Sequence, residues 1–501
     1  MIKPIFNNVK ADCKKFLDKT QVILQTKLSL KDKEIKKVLS TACEADITSC
    51  ECLNGSAVFL GRANFKMLAE NSESKLESLN YNADFSDKFE NAAVTPSAKL
   101  TFSAEVIDVE IEEVRGSDVS VNAVFEITVY QTEETELSCL VGGESFFTRT
   151  NEVQTACVVS RFQAEFENVY EGNFKSDAGK VLMAESCVDV QSITPQFDSV
   201  LLEGSTFTYL TTCDDENGVF TEIYEIPFKE EVEAKGVTPE SAVQGSAKAK
   251  STKVRLNFEE NNTIGILVSV RVDGTAVAKR TCSCVNDAYS LANELNFSGQ
   301  SLESTFVTGH ATAAAKMNGS VTIAEDFLPS ERKLHVVNPK VVIVNAKPYD
   351  GKVEAEGIFT GSAVYKLGEA LTSVFLESPF TEVLTAESVV PNSICAVHAV
   401  VSDVNCEKSN NGTIEVDAAL RFSVDVSENS VDFVLTEIEE GEPKAENKTA
   451  IEVFVGRKDA TLWDVSKNLN LSEAEILAYN PDLETPLRGG EKIVVYRRAK
   501  I

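Results

Sequence analysis

The sequence predicts a mainly β protein: three repeated β-rich domains followed by a small C-terminal βααβ module. Three observations carry this reading. Long stretches alternate apolar and polar residues with period two, the pattern of a strand with one face on a core and one in water. A similar succession of segments recurs three times. The last fifty residues break the pattern with two short helical periodicities between two strands. The boundaries fall at 1–143, 144–289 and 290–435 for the three domains, 436–449 for an acidic linker and 450–501 for the terminal module.

Each repeat opens differently from its body. Lys31–Leu39 (KDKEIKKVL) predicts a short helix in the first copy, with Gly179–Leu182 and Arg332–Leu334 at corresponding points of the others. A strand with a central glycine follows: Gly61 in LNGSAVFLGRANFKMLA, Gly204 in FDSVLLEGSTFTYL and Gly357 in YDGKVEAEGIFTGSAVY. A glycine inside a strand marks a bulge or a close backbone approach. Next come the pairs Asp84-Phe85, Pro227-Phe228 and Pro379-Phe380, whose phenylalanines lie 143 and 152 residues apart. These rings read as plugs for each unit in preference to interface anchors. A long hairpin closes each copy, at 100–130, 241–272 and 396–426. The connectors repeat as well, SFFTRTNE (145–152) echoing DAYSLANE (287–294). After the third copy, TEIEEGEPKAEN (436–447) carries five glutamates, a glycine and a proline, and reads as a solvated linker.

In the tail, Val453-Phe454-Val455 alternates as a strand, and Thr461–Val465 has helical spacing around Trp463, the chain's single tryptophan. Ser472 and Glu475 form an S-x-x-E capping box for a second helix. Asn480-Pro481 ends it, since proline disfavours helical geometry in the residue before it. Gly489-Gly490 turns the chain into a final strand, Lys492–Tyr496. Trp463 on an inward helical position reads first as core, and otherwise as a residue that stacks on a sugar or anchors a partner.

Charge and cysteines narrow the function. The 501 residues include 48 basic and 78 acidic ones, a net charge of −30. Nucleic acid is not an expected partner, because phosphate binding needs clustered Lys and Arg. Residues 451–501 hold eight basic and eight acidic residues, so the whole imbalance lies before them. No apolar run suits a signal peptide or a membrane span, which predicts a cytoplasmic protein without membrane insertion. The 12 cysteines lack C-x-x-C spacing, and His310, His335 and His398 are scattered. They read as small buried or half-buried residues, with no metal site or cofactor expected. The many paired carboxylates read as solvated faces. No nucleophile elbow or phosphate loop is present, so no catalytic residue and no enzyme is expected.

The tail resembles a LysM module, a βααβ domain that binds N-acetylglucosamine polymers in many proteins and other proteins in some. T-L-W (461–463), N-P-D-L (480–483) and G-G-E-K-I-V-V (489–495) carry the likeness. The resemblance implies a groove between two loops, formed here by Lys458, Asp459, Ala460 and Thr461 and by Asn480, Pro481, Asp482 and Leu483. Where many such modules have G-D-T-L, this chain has Asp459-Ala460-Thr461-Leu462, which leaves Thr461 as the cap of the first helix. With three acidic β-units ahead of it, the chain from about Gln21 to Arg497 resembles the SPOCS-domain (SipL-like) spore coat morphogenesis proteins of Firmicutes. That likeness implies a non-enzymatic scaffold or localisation factor, made in the mother cell and recruited to the developing spore surface. Its partner would be a spore coat morphogenetic protein or a peptidoglycan or chitin-like glycan, with self-assembly open. The alternative is a peptidoglycan-binding protein of the cell envelope.

Overall fold

Period-two alternation sustained over more than twenty residues gives strands several times the usual length of about 5–6 residues. The computed structural model describes residues 2–29, 34–174, 179–214, 218–257, 262–324, 326, 328–368, 370–409, 412–445 and 451–496. The first six strands are β1 (Lys3–Ser29), β2 (Ile35–Leu53), β3 (Ser56–Asn71), β4 (Leu76–Glu90), β5 (Lys99–Arg115) and β6 (Asp118–Glu144). They form two antiparallel sheets, ordered β1-β6-β5 and β2-β3-β4. The next six are β7 (Phe147–Asn173), β8 (Lys180–Pro195), β9 (Ser199–Cys213), β10 (Val219–Glu233), β11 (Ala242–Asn257) and β12 (Thr263–Tyr289). Their orders are β7-β12-β11 and β8-β9-β10, the same scheme. Then come β13 (Asn293–Thr322), β14 (Lys333–Tyr349), β15 (Lys352–Leu367), β16 (Ala370–Thr385), β17 (Ile394–Lys408) and β18 (Thr413–Pro443). Here the two halves join into one sheet, β13-β18-β17-β14-β15-β16, because Lys333 and Leu334 pair with Glu407 and Cys406. The tail adds β19 (Ile451–Val455), α1 (Leu462–Leu469), α2 (Glu473–Tyr479) and β20 (Lys492–Tyr496), with β19 and β20 antiparallel.

Within each set of six strands, the two halves bury a shared core. Phe59, Phe65 and Phe125 lie in the first, Leu202, Val268 and Val270 in the second, Phe359, Phe422 and Val424 in the third. The glycine-phenylalanine pairs explain how the halves fit. Gly61 faces Phe85 across the β3–β4 ladder, Gly204 faces Phe228 and Gly357 faces Phe380. Each ring lies over its glycine: a Cβ on Gly61 would sit 2.2 Å from Phe85 Cζ, and one on Gly357 2.5 Å from Phe380 Cζ. The ring then reaches the opposite sheet. Phe85 stacks on Phe125 at 4.9 Å between centroids, Phe228 tilts against Phe166 at 5.2 Å, and Phe380 meets Phe422 edge-on at 6.2 Å. The phenylalanines are plugs between sheets. On the other flank of each glycine the neighbouring strand bulges, just after Ile47, Val190 and Ile343. Pro227 and Pro379 sit mid-strand on the edge strands β10 and β16, where no N–H is needed for a further ladder.

The three strand groups close on one another. Ends of the long strands meet in a cluster with members from all three: Val9, Ala11 and Cys139, then Val153 and Cys284, then Leu302 and Val434. At another place Leu76, Val219 and Leu371, each at the start of its own edge strand, share a second cluster with Leu39, Leu182 and Val337. Polar contacts run between every pair of groups. Asp12 Oδ2 accepts from Val158 N at 2.6 Å, Tyr209 OH donates to Val401 O at 2.8 Å, and Lys15 Nζ pairs with Glu303 at 2.6 Å. All 12 cysteines are free thiols, seven of them buried. Among the described residues no helix is long and apolar enough to cross a membrane.

Two expectations fail here. The helix expected over Lys31–Leu39 is absent where it is described: residues 35–39 begin β2, and 31–33 lie outside the described residues. Ile35 and Leu39 are buried, and Ile35, Lys37 and Val38 pair with β3, so tertiary pairing overrides the helix-forming lysines and glutamate. The acidic linker is also strand through Pro443, because β13 extends alongside it as far as Asn293↔Pro443. Residues 446–450 lie outside the described ones.

Substitution Gly204→Ala would place a Cβ 2.1 Å from Asp189 O and 2.9 Å from Phe228 Cζ, so backbone must move. Overpacking of this kind costs about 1–3 kcal/mol. Guanidinium denaturation should show a lowered midpoint for Gly204→Ala, whereas Gly265→Ala, in β12 with open space where its Cβ would sit, should lose less.

Candidate functional site

The tail is the part of the chain whose sequence most resembles a binding module. Thr461 caps α1: its hydroxyl accepts from Asp464 N, while the Asp464 carboxylate accepts from Thr461 N at 2.8 Å. Ser472 and Glu475 do the same for α2. Each such cap is worth about 1 kcal/mol, which matters for helices of eight and seven residues. Val465, Leu469, Ile476, Leu487, Ile493 and Val495 form the small core. Gly489 and Gly490 turn at φ of +96° and +92°, where a side chain would be strained.

The eight candidate groove residues divide by role. Asn480 is a clamp: its amide donates to Ile476 O and Val494 O and accepts from Val494 N, all at 2.9–3.0 Å, tying α2 to β20. Ala460 and Leu483 pack against the small core. Thr461 is used by its cap. Asp459 has φ of +65°, the backbone region a glycine would favour, and its N–H donates to Leu487 O at 2.8 Å. Short polar side chains tolerate that region better than most. Lys458, Asp459, Pro481 and Asp482 are exposed. The two loops therefore share one core, and those four residues are the exposed ones among the eight besides the cap Thr461.

Trp463 is buried, with 8% exposure, yet it lies outside the tail's own core. Its indole Nε1 donates to Asp287 Oδ2 at 2.8 Å, and Lys467 Nζ, one turn along α1, donates to Asp287 Oδ1 at 2.6 Å. Tyr289 meets the indole edge-on at 4.9 Å and its OH donates to Leu471 O at 2.9 Å. Arg149 lies 5.9 Å from the indole centroid. Asn470 bonds Leu291 O at 2.8 Å and accepts from Lys444 at 2.9 Å. The reading of Trp463 as tail core is thus corrected: it anchors the tail to the end of β12 and the connector after it. The segment read as a solvated linker thus leads to a tail held on the body through α1.

The signal was present in the connector that repeats. DAYSLANE supplies Asp287 and Tyr289, while SFFTRTNE has Ser145 and Phe147 at the matching places. A serine cannot offer two carboxylate oxygens to an indole and an ammonium together. Phe147 instead pairs across the ladder with Tyr289 and stacks on it at 5.0 Å. Burial raises the Asp287 pKa, but the Lys467 and Trp463 hydrogen bonds outweigh it and hold the carboxyl below its usual value.

A cavity of about 330 Å³ lies where β7, β12 and β18 meet, lined by Glu152, Cys284, Asn286, Asp432 and Phe433 among others. Burial and the neighbouring Cys282 push the Cys284 thiol up, so it stays protonated near neutral pH. No group of three or more His, Cys, Asp or Glu residues among those described is arranged to hold a metal ion.

A family of known proteins matches part of the chain. The model described as SipL, SPOCS domain, matches residues 332–409, which span β14 to β17. A sporulation-related role follows at that coarse level. No curated protein and no solved structure matches the chain.

Undocking is readable through the one tryptophan. Substitution Asp287→Ala should red-shift Trp463 emission and speed proteolysis near residue 445 without removing the β-sheet circular dichroism. Because the folded Asp287 pKa is depressed, its contribution is fully present above the ordinary carboxylate value of about 3.9. It is lost as pH falls through the lowered folded value. Wild-type emission should therefore red-shift only under acid, and the Ala variant should lack that step.

Proposed function

We propose that the chain is a non-enzymatic scaffold or localisation factor in spore envelope assembly. Three SPOCS-like domains form its body, and a LysM-like tail docks on a coat protein. The observation that carries this reading is the SPOCS-domain match over 332–409, set in a strand scheme that the first two strand groups repeat. The protein acts in the mother cell cytoplasm and gathers on the developing spore surface. The tail is the docking head: α1 is held against the body, and Lys458, Asp459, Pro481 and Asp482 remain exposed. A rigid head suits a protein partner, since fixing the binding loops in advance lowers the ordering cost of association. The same exposed loops also support the second reading, a peptidoglycan-binding protein of the cell envelope.

A fluorescent fusion of the full chain should concentrate at the forespore surface of a sporulating host. The double variant Lys458→Glu, Asp482→Lys should become diffuse while retaining the buried Trp463 emission. A diffuse wild-type signal, together with normal spores from a deletion strain, contradicts the scaffold. Retention of the full chain on purified cell wall, lost in the same loop variant, favours the glycan reading.

A further inference from the structure

His310 is one of three scattered histidines, and the fold seats it between two strand groups. It lies on β13, two residues past the bulge at Thr308, and faces Asp425 of β18 across the ladder. The two side chains are 13% and 8% exposed. Nδ1 lies 2.7 Å from Asp425 Oδ1, and Nε2 lies 3.1 Å from Val190 O on β8 of the second group. A carbonyl oxygen and an ionised carboxylate only accept hydrogen bonds, while a neutral imidazole carries a single N–H. This seat therefore takes one proton more than a neutral ring beside a carboxylate supplies. A ring that has lost that proton keeps the stronger, charge-assisted bond to Asp425. Its Nε2 lone pair then faces the Val190 oxygen.

The surroundings call for the same charge. Asp189 of β8 acts on the His310 ring, and Lys14 of β1, from the first group, acts on Asp425. Arg421 of β18 acts on Asp189 and donates to both carboxylate oxygens of Glu225 on β10, at 2.7 and 2.9 Å. Asp425, Asp189 and Glu225 thus meet two cations, Lys14 and Arg421, and an imidazolium makes the third. Burial pushes the Asp189 carboxyl up and the Lys14 ammonium down. Burial by itself would favour a neutral His310 ring. The Asp425 hydrogen bond and charge, the Val190 carbonyl and Asp189 outweigh it and hold the imidazole above its ordinary value of about 6.5.

We propose that His310 is a proton-operated latch between the second and third strand groups. With both ring nitrogens protonated it ties β8 to the β13–β18 ladder, and loss of one proton releases β8 at Val190. The folded value is the raised one, so the latch is fully closed below the ordinary imidazole value and opens as pH rises through the folded value. The fit of these two groups therefore loosens toward alkaline pH, whereas the Asp287 contact of the tail is lost toward acid. This goes beyond the docking role of the tail and does not depend on it.

The test uses the full chain with isotope-labelled histidine, the His310 ring signals being assigned by elimination with His335→Gln and His398→Gln. The ring should hold both protons at about pH 6 and lose one only above the ordinary value of about 6.5. Hydrogen exchange at residues 188–192, corrected for intrinsic rates, should be several-fold slower in wild type than in His310→Gln while the ring holds both protons. That difference should vanish as the ring titrates. Asp425→Asn gives a second readout that does not need the glutamine variant to fold. Its amide donates to a neutral Nδ1 while Nε2–H donates to Val190 O, so protection at 188–192 should stay constant over the same range. A His310 ring that titrates at or below the ordinary value overturns the proposal. So does wild-type exchange at 188–192 that does not follow the ring's titration, or an equal change in Asp425→Asn.

Discussion

The structure depends on apolar surface that no strand group can bury alone. Val9, Ala11 and Cys139 need Val153, Cys284, Leu302 and Val434 to leave water. A second shared cluster joins Leu76, Val219 and Leu371 in the same way. Closing a chain around such junctions couples groups that would otherwise be neighbours on a string. It also explains the lengths of the outer strands. The β1–β6 ladder runs from Ser29↔Asp118 near its turn to Lys3↔Glu144 at its far end. The near part of the ladder faces its own group's core through Val22 and Leu28, and the far part reaches the common junction through Val9 and Ala11.

The junction in turn places the tail. Phe147 and Tyr289 start and end one ladder, and their stacking presents Tyr289 and Asp287 to α1. A βααβ module with a core of six fully buried side chains has little stability to spare. Seating Trp463 on the body adds buried aromatic surface and two charge-assisted hydrogen bonds at Asp287. It also fixes which side of the module remains outside. The acidic body and neutral tail are therefore one electrostatic object at their contact, where Lys467 and Arg149 meet Asp287 and Asp464.

Much of this was legible in the sequence because it is local. Alternation gave the strands, and the S-x-x-E box gave the start of α2. The glycines opposite Phe85, Phe228 and Phe380 were readable as close approaches and the rings as plugs, though not that each ring lies over its glycine. Lys31–Leu39 misled because helix-forming residues on one face of a strand look helical until the partner β3 is known. The segment 436–443 misled because composition records solvent exposure and not pairing: Glu437, Glu439 and Glu440 are paired with Ser298, Asn296 and Leu295. For the candidate site, the loops were found but their roles were not. Asn480 looked like a ligand residue and is a clamp between α2 and β20. The Asp287–Trp463 contact spans 176 residues; the change from Ser145 to Asp287 between the two connectors marks one end of it, and nothing local ties that end to Trp463.

The central claim is that the three strand groups are coupled through their shared junction. Hydrogen exchange of the variant Val434→Ala tests it most directly, because Val434 is fully buried in that junction and belongs to the third group alone. The account predicts faster exchange at the amides around Val9–Ala11 and Val153 in the other two groups, along with those near Val434. Faster exchange confined to β18 and its partner β13, with the other groups unchanged, would contradict it.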